Sequence, residues 1–365
     1  MTAAGAGLPG PQNSLIDIDG IRVGHHTAVG NGYLTGTTVV LAPSAGMVAG
    51  VDVRGGGPAT HETDLLHPTA SVERIHAVVL TGGSAYGLAA CTGVMTALAD
   101  RGTGLPVGPG ADEIVPLVPG AALFDLGRGG RFRARPTADF GALALAAALD
   151  PAAAADRSSW GAAQGSVGAG TGAVAGGLKG GLGGASLVLD SGVTVAALAV
   201  VNAAGSPFDR RTGELWGARH LHPLDSGTPP GVPGPDALRN LLAATAPRGP
   251  GITFGGGDEA AGISHTTLVV VATDAALTKS QCGKLAAVAQ NGMARAINPV
   301  HTMFDGDIVF GLSTATAGSP DAIGFHAITA AAADVVTRAI VRGLLAVTTT
   351  TTPAGRWSSW TDLVG

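Results

Sequence analysis

Small side chains set the main limit on what this chain can fold into. Glycine accounts for 59 of the 365 residues, alanine forms several tracts, and only 13% of the residues are charged. Because small side chains let backbones approach closely, this composition favours tightly stacked layers joined by long glycine loops. The apolar content of 45% argues against a disordered chain. The length allows two or three average domains, although single large α/β layers also reach this size.

Charge and cysteine usage exclude several classes of protein. The net charge of −5, without a basic run, argues against a nucleic-acid partner. Residues 1–13 do not resemble a signal peptide, and the apolar stretches at 193–204 and 340–347 are shorter than the roughly 20 residues of a membrane helix. We therefore expect a cytoplasmic protein with no membrane partner. Cys91 and Cys282 lack metal-ligand spacing, which indicates buried apolar roles rather than a disulfide or zinc site.

The most informative stretch runs from Gly251 to Asp274 and reads GITFGGGDEAAGISHTTLVVVATD. Its glycine-rich part ends at His265, and a run of hydroxyl and β-branched residues begins at Thr266, as in a loop that leads into a core strand. If the His265–Thr266 bond were cut, Thr266 would carry a hydroxyl and an α-amine that could act as its base. Such an amine titrates near about 7.7–8.0. The alternative is that Thr266 and Thr267 simply begin a strand.

A second possible nucleophile lies between residues 76 and 102. An apolar run ends at Gly82-Gly83, and small apolar residues follow at helical spacing, as in a strand, tight turn and helix. This order resembles a nucleophile elbow with Ser84 as the nucleophile. The elbow needs glycine two places after the serine, where Tyr86 stands, and no supporting Asp and His pair follows. We interpret Ser84 as a helix cap and Tyr86 as a residue that lines a pocket.

Four polar residues stand out in a chain with few charges. Lys179 lies in a glycine-dense region but lacks the following hydroxyl of a phosphate-binding loop, and lysine generally prefers solvent. Asn202 ends the predicted strand Val195 to Val201, where it could make an Asx turn. Asp305 and Asp307 would share one face of an extended backbone, where they could orient an ammonium and a hydroxyl. The other positions of a calcium-binding EF-hand loop are missing.

The remaining C-terminal half is predicted from local patterns. Residues 210–264 are rich in proline and glycine with one short helix at 236–244, and such a long connection is normally functional or disordered. Residues 278–281 match a capping box, and a helix with one apolar face follows. Residues 322–347 predict a long helix or a helix pair.

Blocks spread over nearly the whole chain resemble one known family. They include DVRGGGPATHETDLL, LTGGSAYGL, HTTLVVVATDAALTK and ARAINPVHTMFDGDIVFGLST, in this order. The set resembles the L-aminopeptidase/D-esterase peptidase family, whose relatives include the 6-aminohexanoate-oligomer (nylon-oligomer) hydrolases. The resemblance implies an α/β fold, a layered α-β-β-α sandwich of the N-terminal-nucleophile hydrolase type. It also implies one self-processing domain, 1–365, cut into fragments 1–265 and 266–365.

The same resemblance implies roles for the residues singled out above. Thr266 would be the nucleophile, Lys179 would assist it electrostatically, and Asn202 would donate a hydrogen bond to the oxyanion. Asp305 and Asp307 would orient the nucleophile's amine and the lysine. Substrates would be small peptides or amides with a free amine. The implied mechanism needs neither a metal nor an organic cofactor, and the implied assembly is a homo-oligomer, a tetramer or larger.

Two positions depart from the family pattern. Threonine-type members usually have asparagine before Thr-Thr, whereas this chain has His265, which bears on the efficiency of self-cleavage. Phe124, a candidate substrate-binding residue, stands where some relatives have tyrosine, which predicts a slower enzyme or another substrate preference. Three alternatives stay open at this point: an endo-type nylon-oligomer hydrolase, a serine hydrolase that uses Ser84, and a catalytically silent binding or assembly protein.

Overall fold

Two β-sheets lie face to face at the centre of the protein. The computed structural model describes residues 7–150, 163–226, 230–246 and 265–365, so the predicted glycine-rich approach at 251–264 lies outside the described residues. The strands of the described part are β1 (Gly7–Leu8), β2 (Arg22–Gly30), β3 (Tyr33–Leu41), β4 (Val48–Val53), β5 (Ala59–His61), β6 (Ala77–Thr81), β7 (Leu105–Pro106), β8 (Ile114–Val115), β9 (Gly120–Ala122), β10 (Val174–Ala175), β11 (Leu178–Lys179), β12 (Leu182–Leu189), β13 (Thr194–Val200), β14 (Leu268–Thr273), β15 (Ile308–Ser313), β16 (Thr350–Thr352) and β17 (Gly355–Trp357). The α-helices there are α1 (Ser84–Gly87), α2 (Ala89–Ala99), α3 (Ala138–Leu149), α4 (Pro223–Ser226), α5 (Pro235–Ala244), α6 (Lys279–Ala296), α7 (Ala322–Leu345) and α8 (Trp360–Val364).

The larger sheet has six strands in the order β1-β12-β13-β14-β15-β4, and the smaller has five in the order β2-β3-β6-β9-β5. In the larger sheet β14 runs antiparallel to β13 and parallel to β15. The strand predicted to follow Thr266 is therefore a central strand with a hydrogen-bonded neighbour on each side. Its side chains are buried in the cores on both sides of the sheet, which explains why the strand is apolar on both faces.

The alternation of side chains along the strands defines four layers. Val270 and Leu198 of the larger sheet share a core with Val40 of the smaller sheet, so this core fills the space between the sheets. The neighbouring residue Val271 points the other way and packs in a core with α6 and α7. Val79 of the smaller sheet likewise packs in a core with α2 and α3. The layers are thus helix, sheet, sheet and helix, the predicted α-β-β-α sandwich.

Glycines allow the helices to lie directly on the sheets. A Cβ on Gly183 of β12 would lie 2.2 Å from the carbonyl oxygen of Ala339 in α7. On the opposite side, a Cβ on Gly24 of β2 would lie 2.2 Å from the carbonyl oxygen of Ala144 in α3. These distances are far inside van der Waals contact, so both positions require glycine, as the close packing expected from the composition implies.

The helix starts show one confirmed and one wrong prediction. At α6, Thr278 and Gln281 form the predicted reciprocal capping box. At α1, Gly83 occupies the N-cap position, so the interpretation of Ser84 as the cap is wrong. Ser84 is instead the first helical residue, with a φ of 53°, a strained backbone conformation for a residue other than glycine.

Two further expectations concern burial and the membrane. Cys91 and Cys282 are free thiols buried in α2 and α6, as predicted. Across the part of the chain that the structure describes, no helix combines the length and the apolar character that crossing a bilayer requires.

Candidate active site

Four of the predicted site residues meet at one end of the larger sheet. Thr266 lies two residues before β14, Asn202 two residues after β13, and Asp305 and Asp307 directly before β15. Because β13 is antiparallel to β14 and β15 is parallel to it, the end of β13 and the starts of β14 and β15 coincide. The sheet topology therefore brings these four residues together, and all four are buried.

The peptide bond between His265 and Thr266 is held at both its oxygen and its nitrogen. The Oγ1 hydroxyl of Thr266 donates to the His265 carbonyl oxygen at 2.6 Å, and the backbone N–H of Gly306 donates to the same oxygen at 3.0 Å. The Thr266 N–H donates to the backbone oxygen of Asn202 at 2.5 Å. Gly306 also lies beside the hydroxyl, because a Cβ there would be 2.6 Å from Thr266 Oγ1. The hydroxyl is thus fixed against the preceding carbonyl.

Asp305 and Asp307 support this arrangement through the backbone. Asp307 Oδ1 accepts the N–H of Thr267 at 2.7 Å, and its Oδ2 accepts Nδ1 of His301 at 2.9 Å. Asp305 Oδ1 accepts the N–H of Ala204 at 3.0 Å. In this uncleaved chain, both carboxylates therefore fix the segments that carry Thr266 and Asn202.

The second oxygen of Asp305 belongs to the loop before β15. Thr302 donates to Asp305 Oδ2 through its backbone N–H at 3.1 Å and through its hydroxyl at 2.7 Å. His301, the residue before it, has a φ of 58° and also donates its backbone N–H to Asp307 Oδ2 at 3.1 Å. The loop is therefore pulled into a strained conformation by the two carboxylates, which is typical of a site whose geometry matters more than its local stability.

The side-chain amide of Asn202 has a defined orientation. Its Oδ1 accepts Nη1 of Arg128 at 2.5 Å and the backbone N–H of Val174 at 3.0 Å. Its Nδ2 makes a long bond of 3.4 Å to the carbonyl oxygen of Phe124. Because the oxygen is occupied twice and the NH₂ group only loosely, the NH₂ group can donate to a further acceptor.

Lys179 is fully buried, at 0% exposure, in contrast to the solvent preference of lysine. Its Nζ donates to the carbonyl oxygens of Gly180 at 2.6 Å, Ala173 at 3.2 Å and Gly170 at 3.3 Å. These three bonds use every donor of an ammonium group. Lys179 pairs with Val174 in the β10–β11 hairpin. Because the Val174 N–H donates to the side chain of Asn202, Val174 connects Lys179 to Asn202.

Two charged residues near Lys179 were missed by sequence reasoning. Asp125 is buried and Arg128 mostly buried, and both follow β9 of the smaller sheet. Burial lowers the pKa of Lys179 to about 7, with Arg128 adding to this effect and Asp125 opposing it. Burial also raises the pKa of Asp125 to about 6 and lowers that of Arg128 to about 10. An Asp-x-x-Arg pair after a strand, in a chain with so few charges, was the available clue.

His265 stands where asparagine is usual in the family pattern. Burial lowers its pKa to about 4, and the positive charge of Arg128 adds to this effect while Asp305 opposes it. The imidazole is therefore neutral at neutral pH. It places no charge beside the Thr266 peptide bond and in this respect resembles the neutral amide of asparagine.

The two candidate substrate-binding residues occupy different surroundings. Phe124 is partly buried and its carbonyl oxygen accepts the Asn202 amide, so it lies at the site. Tyr86 is 57% exposed in α1, and the Arg135 guanidinium lies 3.6 Å from the centre of its ring. Within the described residues no group of three or more His, Cys, Asp or Glu side chains is arranged to hold a metal ion.

Comparison with known proteins defines the class of molecule, a hydrolase of peptide or amide bonds. Residues 13–358 match the model described as Peptidase family S58, and the chain belongs to this family. An uncharacterized aminopeptidase of Mycobacterium leprae (strain TN) is 43% identical over 358 residues, which are 93% of this chain and 92% of the relative. A 6-aminohexanoate-oligomer endohydrolase of Kocuria sp. (strain KY2) is 29% identical over 320 residues, 84% of this chain and 80% of that protein.

Solved structures confirm the predicted fold. A Burkholderia sp. beta-aminopeptidase superposes with a TM-score of 0.69 at 24% identity and covers 99% of this chain and 96% of its own. An L-aminopeptidase D-Ala-esterase/amidase of Ochrobactrum anthropi, described as a variant of the Ntn hydrolase fold, gives a TM-score of 0.70 at 22% identity, with 97% and 92% coverage. The layered α-β-β-α arrangement of this chain is therefore of the Ntn-hydrolase type.

Proposed function

We propose that the protein cuts its own His265–Thr266 bond and then uses Thr266 as an N-terminal nucleophile to hydrolyse amides and peptides that carry a free amine. The observation that carries this proposal is the shared acceptor: the His265 carbonyl oxygen accepts both the Thr266 hydroxyl, at 2.6 Å, and the Gly306 N–H, at 3.0 Å. The nucleophile and an oxyanion donor thus flank the same carbonyl group.

The self-cleavage follows from these contacts. Thr266 Oγ1 attacks the carbonyl carbon of His265, and the Gly306 N–H stabilises the negative charge that develops on the oxygen. The C–N bond then breaks, the nitrogen takes up the proton that the hydroxyl releases, and an ester joins the two residues. Water hydrolyses this ester, which leaves a carboxylate on His265 and a free α-amine on Thr266.

The same groups serve the turnover of substrate. The α-amine of Thr266, held near the backbone oxygen of Asn202, takes the proton of its own hydroxyl, and Oγ1 attacks the substrate carbonyl. The Nδ2 group of Asn202 donates to the oxyanion, and one donor of this kind accelerates such reactions by roughly 10²–10³. The departing amine takes the proton, and water then releases the acid from Thr266.

The relatives suggest the substrate class. Proteins 43% identical to this chain are named aminopeptidases, which favours substrates with a free amino terminus. A second candidate is an endo-acting amidase on 6-aminohexanoate oligomers, because relatives 29% and 30% identical carry that name. The two candidates differ in whether cleavage starts at the amino end or inside the oligomer.

Intact mass tests the self-cleavage. We expect two fragments that meet between His265 and Thr266 in the wild type, with Thr-Thr-Leu-Val at the new amino terminus, and one uncleaved chain in Thr266→Ala. The variant Ser84→Ala, which removes the rival nucleophile, should be processed normally and remain active. A fully active preparation that contains no chain starting at Thr266 would overturn the proposal.

A substrate pair then separates the two activities. An alanine anilide with a free amine should be hydrolysed and its N-acetylated analogue should not, if the protein is an aminopeptidase. Internal cleavage of a linear 6-aminohexanoate oligomer, detected by the masses of the products, would favour the second candidate.

A further inference from the structure

We propose that Arg128 is a positioning residue that holds the side-chain amide of Asn202 with its NH₂ group, rather than its oxygen, toward the reacting carbonyl. The inference rests on the proposed role of Asn202 as an oxyanion donor. It assigns a function to Arg128, which follows a strand of the smaller sheet and is not among the catalytic residues predicted from the sequence.

The hydrogen bonds of Asn202 leave it one orientation. Both acceptor directions of Oδ1 are filled, by Arg128 Nη1 at 2.5 Å and by the Val174 N–H at 3.0 Å. A rotated amide would turn its NH₂ group toward these two donors and lose both bonds. Its oxygen would also face the Phe124 carbonyl oxygen, which now accepts from Nδ2 at 3.4 Å. Two donors on one side and an acceptor on the other therefore decide the orientation.

Of these partners, Arg128 is the charged one. Its Nη1 carries two hydrogens, and the structure gives both a partner: one bond goes to Asn202 and the other to the carbonyl oxygen of Gly172 at 2.6 Å. A hydrogen bond from a charged donor is shorter and stronger than one between neutral groups, so Arg128 contributes more to the orientation than the Val174 N–H does.

Arg128 is itself fixed by its surroundings. Its backbone N–H donates to the carbonyl oxygen of Asp125 at 3.2 Å, and the hydroxyl of Thr352 donates to its carbonyl oxygen at 2.6 Å. The Asp125 carboxylate, whose negative charge attracts the guanidinium, accepts the N–H of Gly83 at 2.7 Å. A continuous chain of contacts thus runs from the turn after β6, through Asp125 and Arg128, to Asn202 after β13.

A double-mutant cycle tests this role in the processed enzyme, with an alanine anilide as substrate. We expect Arg128→Met to lower kcat by about 10²–10³, as Asn202→Ala does, because one oxyanion donor is lost in both. KM should stay within about threefold. The double variant should be no slower than Asn202→Ala alone, since Arg128 acts only through Asn202. The exposed Arg133→Met, a matched substitution on the same loop, should keep wild-type kcat.

A conservative variant covers the case in which Arg128→Met does not fold. Arg128→Lys keeps the charge, but the shorter lysine side chain does not place a donor where Nη1 of Arg128 bonds both Asn202 and Gly172. The kcat of this variant should therefore lie between those of the wild type and Asn202→Ala. Its combination with Asn202→Ala should again be no slower than Asn202→Ala alone. Effects that multiply in the double variants, or a normal kcat in Arg128→Met, would overturn the role of Arg128. A normal kcat in Asn202→Ala or Thr266→Ala would instead refute the proposed function.

Discussion

Replacing Lys179 with methionine tests how the buried charge affects folding. Methionine has a similar length, but it can neither carry a charge nor donate to the three carbonyl groups. The pKa of Lys179 falls from 10.5 to about 7 in the folded protein. Between these values the unfolded chain binds more protons than the folded one, so the free energy of unfolding rises with pH. The cost of burying the lysine is fully present below about pH 7 and disappears as pH approaches the unfolded pKa.

The magnitude follows from the same two values. Each pH unit inside the window changes the free energy of unfolding by about 1.4 kcal/mol, and the change flattens below about pH 7. From pH 6.5 to pH 8.5 the lysine should therefore add about 2 kcal/mol to the free energy of unfolding. The methionine variant lacks this contribution, so its stability should rise less over the same range.

Denaturant unfolding of uncleaved protein measures this difference. Thr266→Ala serves as the parent so that every sample is one chain, and Lys179→Met is added to it. Titrating groups that do not interact with Lys179 contribute equally to both proteins, so their contributions cancel in the comparison. Lys284→Met, an exposed substitution in α6, controls for the loss of a positive charge. A stability difference that does not depend on pH, or that changes with the opposite sign, would refute the reasoning.

Two further variants probe the carbonyl contacts and the substrate side. Gly306→Ala would place a Cβ 2.6 Å from Thr266 Oγ1 and 2.8 Å from the Gly57 oxygen, so self-cleavage, followed by gel electrophoresis over time, should slow at least tenfold. Cleavage at the wild-type rate would contradict this prediction. The matched control is Gly283→Ala, because a Cβ there meets nothing within 4 Å. This control should stabilise α6 by up to about 1 kcal/mol. Phe124→Tyr adds a hydroxyl donor at the site and should raise kcat/KM about two- to tenfold. An unchanged kcat/KM would show that phenylalanine in place of tyrosine at position 124 does not affect catalysis.

Local patterns in the sequence predicted the elements that depend on neighbouring residues. The apolar run after Thr266 predicted β14, and the spacing of Thr278 and Gln281 predicted the start of α6. Residues 322–347 were predicted to form a long helix or a helix pair, and the structure has the single long helix α7. Such elements depend on side-chain periodicity and helix-capping residues within about ten positions, and this information can be read from a single sequence.

Contacts between distant residues could not be predicted in this way. Arg128 and Asn202 are 74 positions apart, and they meet only because the two sheets stack. The spacing of Asp305 and Asp307 predicted a shared face, but it does not contain the information that one carboxylate accepts from Ala204 and the other from Thr267. Which backbone segment lies opposite each carboxylate is decided by the order of strands in the larger sheet.

That strand order has a consequence for a chain cut between His265 and Thr266. The segment after His265 supplies β14 and β15, which lie as a pair between β13 and β4 of the segment before it. After cleavage, strands of the two polypeptides would still form one continuous hydrogen-bonded sheet. They should elute together in gel filtration under native conditions and separate only when denaturant dissolves the sheet.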